Sequence, residues 1–311
     1  MKGSLQSGTI WLAVLLLAVV SALASLGRVH WLLGNLSHFR PQYAVVGLLL
    51  LPGFFVLRRR RAVFVFSLLI LIAFNATFLL PYLQSGSGEA VGDRESIYVL
   101  LWNTWRKNRD FKSVNELLRR EGADVVLLQE TTLNVLGHLA DLEKSYRILV
   151  SGDEAVLVRR SLPHRFGVVT GQPFRGFHLE LVVGSGAIDL LAVHLAAPLS
   201  TRSAERRAEQ LAALTTWVNG RSSPVVILGD LNATPWSHEI QDLRSQCRLE
   251  DSLVGRGLQP TWPFHNAFTS LLRIPLDHCL HSPQVVVLDR FVGDAAGSNH
   301  RPMFVRIALA D

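Results

Sequence analysis

Seven polar residues interrupt an otherwise apolar pattern in the larger part of this chain: Asn103, Glu130, His194, Asp230, Asn232, Asp277 and His300. Each lies at or just beyond the end of an apolar run that has no use of its own for a carboxylate, amide or imidazole. Carboxylates and amides offer hard oxygen ligands for Mg²⁺ or Mn²⁺. A phosphodiester gains negative charge on attack, which a cation and imidazole donors stabilise, while a carboxylate beside the cation positions water. The chemistry available to this set is phosphoester hydrolysis. Its sharpest segment is residues 226–237, VILGDLNATPWS. In extended backbone, side chains two positions apart share a face, so Asp230 and Asn232 can address one ligand. A turn that merely uses Asp and Asn is the other reading of the same residues.

Such residues need a rigid scaffold. Residues 97–102 (IYVLLW) and 124–130 (DVVLLQE) read as strands buried on both faces, because their apolar runs are continuous. Further strands are expected at 155–158, 177–183, 188–193 and 224–228, and in the tail at 276–281, 284–288 and 302–307. Residues 113–121 read as a helix stopped by Gly122, and 200–219 as an amphipathic helix. Seven polar groups at the ends of such elements imply one shared site on a sheet edge, since loops held by a scaffold carry function.

The first 84 residues are different material. Three apolar segments, 9–26, 43–57 and 63–80, approach the roughly 20 residues that a membrane-crossing helix needs. The second is short and carries Pro52-Gly53, tolerated in membrane helices, so two or three spans are expected over 1–84. Apolar runs continue after the first segment with no cleavage site, unlike a signal peptide. Four arginines at 58–61 belong on the cytoplasmic side. With three spans, everything beyond residue 80 then emerges outside a bacterial cytoplasmic membrane, joined by a flexible Ser/Gly tether at 85–95.

Residues 1–92 hold seven Lys and Arg against one acid, which leaves 24 basic and 24 acidic residues in the remainder. The high pI therefore gives no grounds for a nucleic-acid-binding surface on the part that carries the site. Two cysteines, Cys247 and Cys279, form no CxxC pair. Unpaired buried thiols are expected, and a single disulfide is the alternative in an oxidising compartment.

Taken together, LLWNTW (Asn103), VVLLQET (Glu130), LAVHLAAP (His194), ILGDLNATP (Asp230, Asn232), PLDHCL (Asp277) and GSNHRPM (His300) occur in the order seen in the endonuclease/exonuclease/phosphatase superfamily. The resemblance spans roughly residues 96–310. That superfamily includes deoxyribonuclease I, exonuclease III-like repair enzymes, inositol-polyphosphate phosphatases and bacterial sphingomyelinases. The resemblance implies an α+β fold, a four-layer α/β/β/α sandwich of two mixed sheets over 96–311, preceded by the transmembrane helices. It implies a Mg²⁺ or Mn²⁺ cofactor held by Glu130 with Asn103 beside it, and Asp230 orienting or deprotonating water. Asn232, His194 and His300 would bind phosphate, with Asp277 orienting a histidine or joining the metal site. The substrate would be a phosphoester: nucleic acid, a phospholipid head group or a small molecule. The membrane is the other expected partner, and no protein partner is indicated.

One motif departs from the family. Its last element is usually Ser-Asp-His, whereas this chain reads Ser298-Asn299-His300. The missing carboxylate would normally polarise a neighbouring histidine, so a catalytically silent phosphate-binding module is the alternative function. Asn299 and His278 are accessory candidates. Arg202, Arg206 and Arg207 can steer phosphate, although a solvated helix face paired with Glu205 and Glu209 is the expected account. Trp102, Trp105, Trp236 and Trp262 are expected to pack in the core.

Overall fold

Runs that are apolar at every position become strands when both of their faces are covered, and this is the organising fact of the fold. The computed structural model describes residues 2–57, 60–84, 94–169, 173, 175–264, 266 and 268–310. Beyond residue 96 the strands are β1 (Ile97–Asn103), β2 (Val125–Gln129), β3 (Tyr146–Ser151), β4 (Glu154–Arg159), β5 (His164–Val169), β6 (Gly176–Val183), β7 (Gly186–Val193), β8 (Val225–Asp230), β9 (Glu250–Asp251), β10 (Asp277–His281), β11 (Val285–Val292) and β12 (Met303–Leu309). They form two six-stranded sheets, ordered β11-β12-β1-β2-β4-β3 and β5-β6-β7-β8-β10-β9. Both are mixed: β1–β2 and β7–β8 are parallel, and the remaining pairs are antiparallel.

The two sheets pack face to face through alternate residues. Val99, Leu101, Val125 and Leu127 of the first sheet meet Leu179, Leu190, Val226 and Leu228 of the second. The intervening residues face outwards onto helices. Leu100, Trp102, Val126 and Leu128 pack on the helix Phe111–Glu121, and Leu191, Val193 and Ile227 on Thr201–Asn219 and His238–Cys247. The result is helix, sheet, sheet, helix in four layers. The Phe111–Glu121 helix opens on the Asp110 carboxylate, which accepts from Ser113 N at 3.1 Å, and closes on Gly122 in the left-handed region.

Six helices precede the sandwich: α1 (Lys2–Leu23), α2 (Trp31–Ser37), α3 (Arg40–Leu50), α4 (Gly53–Val56), α5 (Arg61–Thr77) and α6 (Leu80–Leu83). With the three above they are followed by α7 (Phe111–Glu121), α8 (Leu133–Gly137), α9 (Thr201–Asn219) and α10 (His238–Cys247). Among the described residues one helix, Gln6–Leu26, is by itself long and apolar enough to cross a membrane. Trp31–Ser37 and Arg40–Val56 meet at 58°, and Arg61–Thr77 is apolar but shorter. The expected segment 43–57 is broken where α3 ends and Pro52 starts a new turn. Arg58, Arg59 and residues 85–93 of the expected tether lie outside the described residues.

The outward faces of α1, α3 and α5 are apolar, with Leu15, Leu49 and Phe66 all more than half exposed. Inside, Arg40 is buried and ties the helices together. It donates to Ser21 O and Asn75 Oδ1, both at 3.0 Å, and to Ser25 Oγ at 2.7 Å. Leu79 and Tyr82 then pack on Trp236 and Leu253 of the sandwich.

Candidate active site

The site lies where the ends of β1, β2, β7 and β8 converge. Asn103 ends β1, Glu130 follows β2, His194 follows β7 and Asp230 ends β8. Asp277 opens its strand instead of following it. Because β10 runs antiparallel to β8, its first residue stands opposite Asp230 in register. His300 sits in the loop before β12. Gln129 joins the two sheets at this edge: Asp230 N donates to its Oε1 at 2.9 Å, and its Nε2 donates to Val193 O at 2.7 Å.

Asp230 is the hub. Its Oδ2 accepts from Asn103 Nδ2 at 3.1 Å and lies 3.6 Å from His300 Nε2 and 3.8 Å from His194 Nε2. Its Oδ1 accepts from Asn232 N at 2.9 Å. Asn232 is therefore not presented by strand alternation. It stands at φ 50°, in the left-handed region, and reaches the site through a turn closed on Asp230. Its Nδ2 donates to Leu195 O at 2.9 Å and lies 3.3 Å from His194 Nε2. Glu130 (φ 49°) and Trp105 (φ 60°) are left-handed too. Three such non-glycine residues around one cleft mark backbone held against its own preference, which concentrates at functional sites.

His300 and Asp277 form a buried dyad, Nδ1 to Oδ2 at 2.9 Å. Burial alone would push the imidazole down, but Asp277 and then Asp230 hold its proton and lift it to about 8. Burial opposes charge on Asp277 as well, yet the imidazolium keeps that carboxyl below its ordinary value. Asp230 moves the other way: burial raises it, and the neighbouring His300 only partly compensates. The pair of carboxylates is thus split by environment, one fixed as a counter-ion and one poised to take up a proton.

Which groups can hold a metal ion follows from what is already engaged. Asp230, Asp277 and His300 offer ligand atoms within 4.8 Å of one another. That trio is a poor cage, because His300 Nδ1 and Asp277 Oδ2 are already hydrogen-bonded to each other. Glu130 fits better, with Asn103 beside it: the Asn103 Oδ1 accepts from Trp105 N at 3.0 Å, so that amide would serve as a ligand only by giving up this bond. The Asn103 amide donates to both Glu130 Oε1, at 3.3 Å, and Asp230 Oδ2. Two carboxylates converging on one donor define a place where positive charge is wanted, and oxygen donors there suit a hard divalent cation.

Above these groups opens a cleft of about 550 Å³, floored by Glu130, His194 and Asn232 and rimmed by Arg106, Arg175 and Arg206. Glu154 also lines it; burial, and then Asp153, push its carboxyl up to about 8. Arg206, named in the sequence as able to steer phosphate, does line the cleft, whereas Arg106, Arg175 and Glu154 are not marked by the motifs, since none of them follows a long apolar run. Of the accessory candidates, His278 alternates away from the site and its Nε2 donates to Ala233 O at 2.7 Å. Burial keeps its pKa low. Asn299 lies between Ser298 and His300, its Oδ1 buried without a partner. The carboxylate that orients His300 is Asp277, so the departure at Asn299 leaves the dyad whole. Arg207 is not on a solvated face. It is fully buried, ion-paired with Glu239 at 2.5 Å, and donates to Ala196 O at 3.1 Å and Leu231 O at 2.6 Å. Trp102 and Trp236 are buried as expected, and Cys247 and Cys279 are unpaired.

A family model described as the Endonuclease/Exonuclease/phosphatase family matches residues 100–300. The UPF0294 protein VP2298 of Vibrio parahaemolyticus is 24% identical over 244 residues, covering 74% of this chain and 84% of that protein. Among solved structures, D. rerio TDP2 complexed with single-strand DNA product superposes with a TM-score of 0.56 at 15% identity, over 68% of this chain and 98% of that one. The human Nocturnin catalytic domain with bound sulfate gives 0.53 at 16%, over 71% and 97%. At these identities the likeness is one of fold.

Proposed function

The chain belongs to the endonuclease/exonuclease/phosphatase family, and on that premise we propose that it is a membrane-anchored, divalent-metal-dependent phosphoesterase working outside a bacterial cytoplasmic membrane. The observation that carries the reading is a cleft floored by Glu130, His194 and Asn232, beneath which the buried Asn103 and Asp230 bind one another and the Asp277–His300 dyad stands behind them.

Each side chain then has a task. Glu130 and Asn103 hold Mg²⁺ or Mn²⁺, which when bound supplies charge neutralisation for the phosphate and polarises what it contacts. Asp230, whose carboxyl burial raises, orients a water and accepts its proton. His300, protonated at neutral pH, and His194 donate to the phosphoryl oxygens as negative charge builds. Asn232 adds an amide donor beside His194. Asp277 fixes the His300 ring with Nε2 towards Asp230 and keeps it charged.

Anchoring and orientation rest on the N-terminal helices. α5 starts at Arg61 and, after 17 residues, delivers Leu79 to the sandwich. Arg61 is thus about 25 Å from the sandwich end of α5 along the helix axis. Retention of the arginine run 58–61 in the cytoplasm would put the site outside. The proposal carries the domain division expected from the sequence: helices over 1–84, a tether to 95, and the catalytic part over 96–311. The TDP2 structure solved with DNA product agrees with a phosphoester substrate. The charge balance of this chain beyond residue 92 does not favour extended DNA.

The test is hydrolysis of bis-p-nitrophenyl phosphate by the full chain in detergent, with Mg²⁺ or Mn²⁺ and with EDTA. A Glu130→Ala variant should lose both turnover and Mn²⁺ binding. Turnover that ignores EDTA and survives Glu130→Ala refutes the metal-dependent reading.

A further inference from the structure

An anchor needs only to hold its domain near the bilayer, yet the contacts made by this one are aimed at particular loops. Three polar side chains project from the α2–α3 segment. Asn35 Nδ2 donates to Pro198 O at 2.8 Å. His38 Nδ1 lies 3.1 Å from Thr234 Oγ1 and accepts from Thr234 N at 3.4 Å. Gln42 Nε2 donates to Arg273 O at 3.2 Å. Each partner lies a few residues along the chain from a site residue: Pro198 after His194, Thr234 after Asn232, and Arg273 before Asp277.

The last link is not merely sequential. Ile274, next to Arg273, accepts through its carbonyl from Thr261 N at 3.1 Å, and Thr261 Oγ1 accepts from Asp277 N at 3.3 Å. The middle link is doubled, since Trp236 Nε1 donates to Ser37 O at 2.9 Å from within the same loop as Thr234. The fit is also tight. A Cβ on Gly27 would come within 2.8 Å of His238 Nδ1 and 2.9 Å of Gly34 Cα.

From these contacts we infer that the α2–α3 segment is a working part of the active site, in which Asn35, His38 and Gln42 are positioning residues for the loops carrying His194, Asn232 and Asp277. This rests on the reading of those three as site residues. The physical need is visible at Asn232, whose left-handed backbone has to be held by its surroundings. Loops are the least rigid carriers of catalytic groups, and a second layer of hydrogen bonds makes them exact. Seating of the helices thereby couples to turnover.

The experiment uses the full chain in detergent micelles and compares Asn35→Leu, His38→Leu, Gln42→Leu and Gly27→Val with wild type. We expect kcat on bis-p-nitrophenyl phosphate to fall about tenfold to a hundredfold with KM little changed, because ångström-scale misplacement of reacting groups costs on that order. Amide exchange should quicken at 194–200, 231–237 and 273–277, while strands β1 and β8 keep their protection. Restoration of kcat and loop protection by His38→Gln, which retains an acceptor for Thr234, is expected. Arg28→Ala, removing an exposed ion pair with Asp242 away from these loops, should leave kcat within about twofold. Wild-type kcat and wild-type loop exchange in the leucine variants would overturn the inference. So would His38→Gln being as impaired as His38→Leu. If wild type itself shows no metal-dependent turnover, the phosphoesterase reading falls while loop exchange still decides the coupling.

Discussion

Replacing Asp277 by Asn isolates the electrostatic work of the dyad, because Asn keeps the shape and a hydrogen-bond acceptor but removes the charge. In the native protein the His300 imidazole is lifted to about 8 although it is almost fully buried. Relative to the ordinary 6.5 this is worth about 2 kcal/mol in favour of the charged ring. Asp277 is the largest of the groups that raise it, ahead of Asp230 and Glu130. Without that charge, burial prevails and the ring returns to its ordinary value or below. At pH 7.5 the protonated fraction then drops from about three quarters to about a tenth. The assay is the pH profile of kcat/KM between pH 5.5 and 9.5 at fixed Mg²⁺, which reports the free enzyme. The alkaline limb should move down by about 1.5 pH units in Asp277→Asn. The displacement between variants is the test, because the charge of a bound cation acts on both alike. Stability carries the same sign. A folded pKa raised to about 8 stabilises fully below 6.5 and loses that contribution as pH rises through 8, so native stability should fall by about 2 kcal/mol across this window. Asp277→Asn should show no such slope. An alkaline limb that stays in place in the variant would refute the assignment of the proton to His300.

Other expectations follow from the same contacts. Asn299→Asp should leave kcat and the alkaline limb nearly unchanged, since Asp277 already serves His300; a large gain in kcat would restore the idea of a decayed motif. Arg207→Ala should cost roughly 3–5 kcal/mol in chemical denaturation, because a buried charge partner and two carbonyl contacts are removed together; a cost under about 1 kcal/mol would contradict its burial. Glu154→Gln should raise the thermal midpoint at pH 9 and not at pH 5, because a carboxyl raised from 4.5 to about 8 in the fold costs stability progressively as pH rises between those values; equal effects at both pH values would show that Glu154 is not held neutral at pH 5 to 7. Leu101→Ala, between the sheets, should cost roughly 2–5 kcal/mol, measurable as a lower denaturation midpoint.

The parts of the fold that can be read from the chain are those in which local pattern and tertiary burial agree. β1, β2, β7 and β8 are covered on both faces, so each carries an apolar run on successive positions, broken chiefly near the strand ends, and the runs are unmistakable. The edge strand β5 pairs with β6 alone, and its residues include His164 and Arg165 with no continuous run; nothing local marks it. The polar residues at strand ends were legible as a set because each breaks an apolar run. Their partnerships were not. The register that sets Asp277 opposite Asp230 joins residues 47 apart and comes from strand order, while the turn that delivers Asn232 replaces the strand alternation expected for it. Arg207 looks like a solvated helix residue until its helix is docked, when it becomes a buried clamp. Asn35, His38 and Gln42 lie between the first two apolar segments with nothing local to mark them, and only the packing of the helices on the sandwich gives them partners.

Whether these residues form a metal-dependent site for attack of water on a phosphoester is tested most directly by the Mg²⁺-dependent rate on bis-p-nitrophenyl phosphate for wild type and Asp230→Asn, side by side. Turnover is expected in wild type, abolished by EDTA and restored by added Mg²⁺ or Mn²⁺. A loss of at least about a hundredfold in kcat is expected for Asp230→Asn, the scale of a positioned general base. Wild-type turnover retained by Asp230→Asn, or no metal-stimulated turnover from well-folded wild type, would contradict such a site.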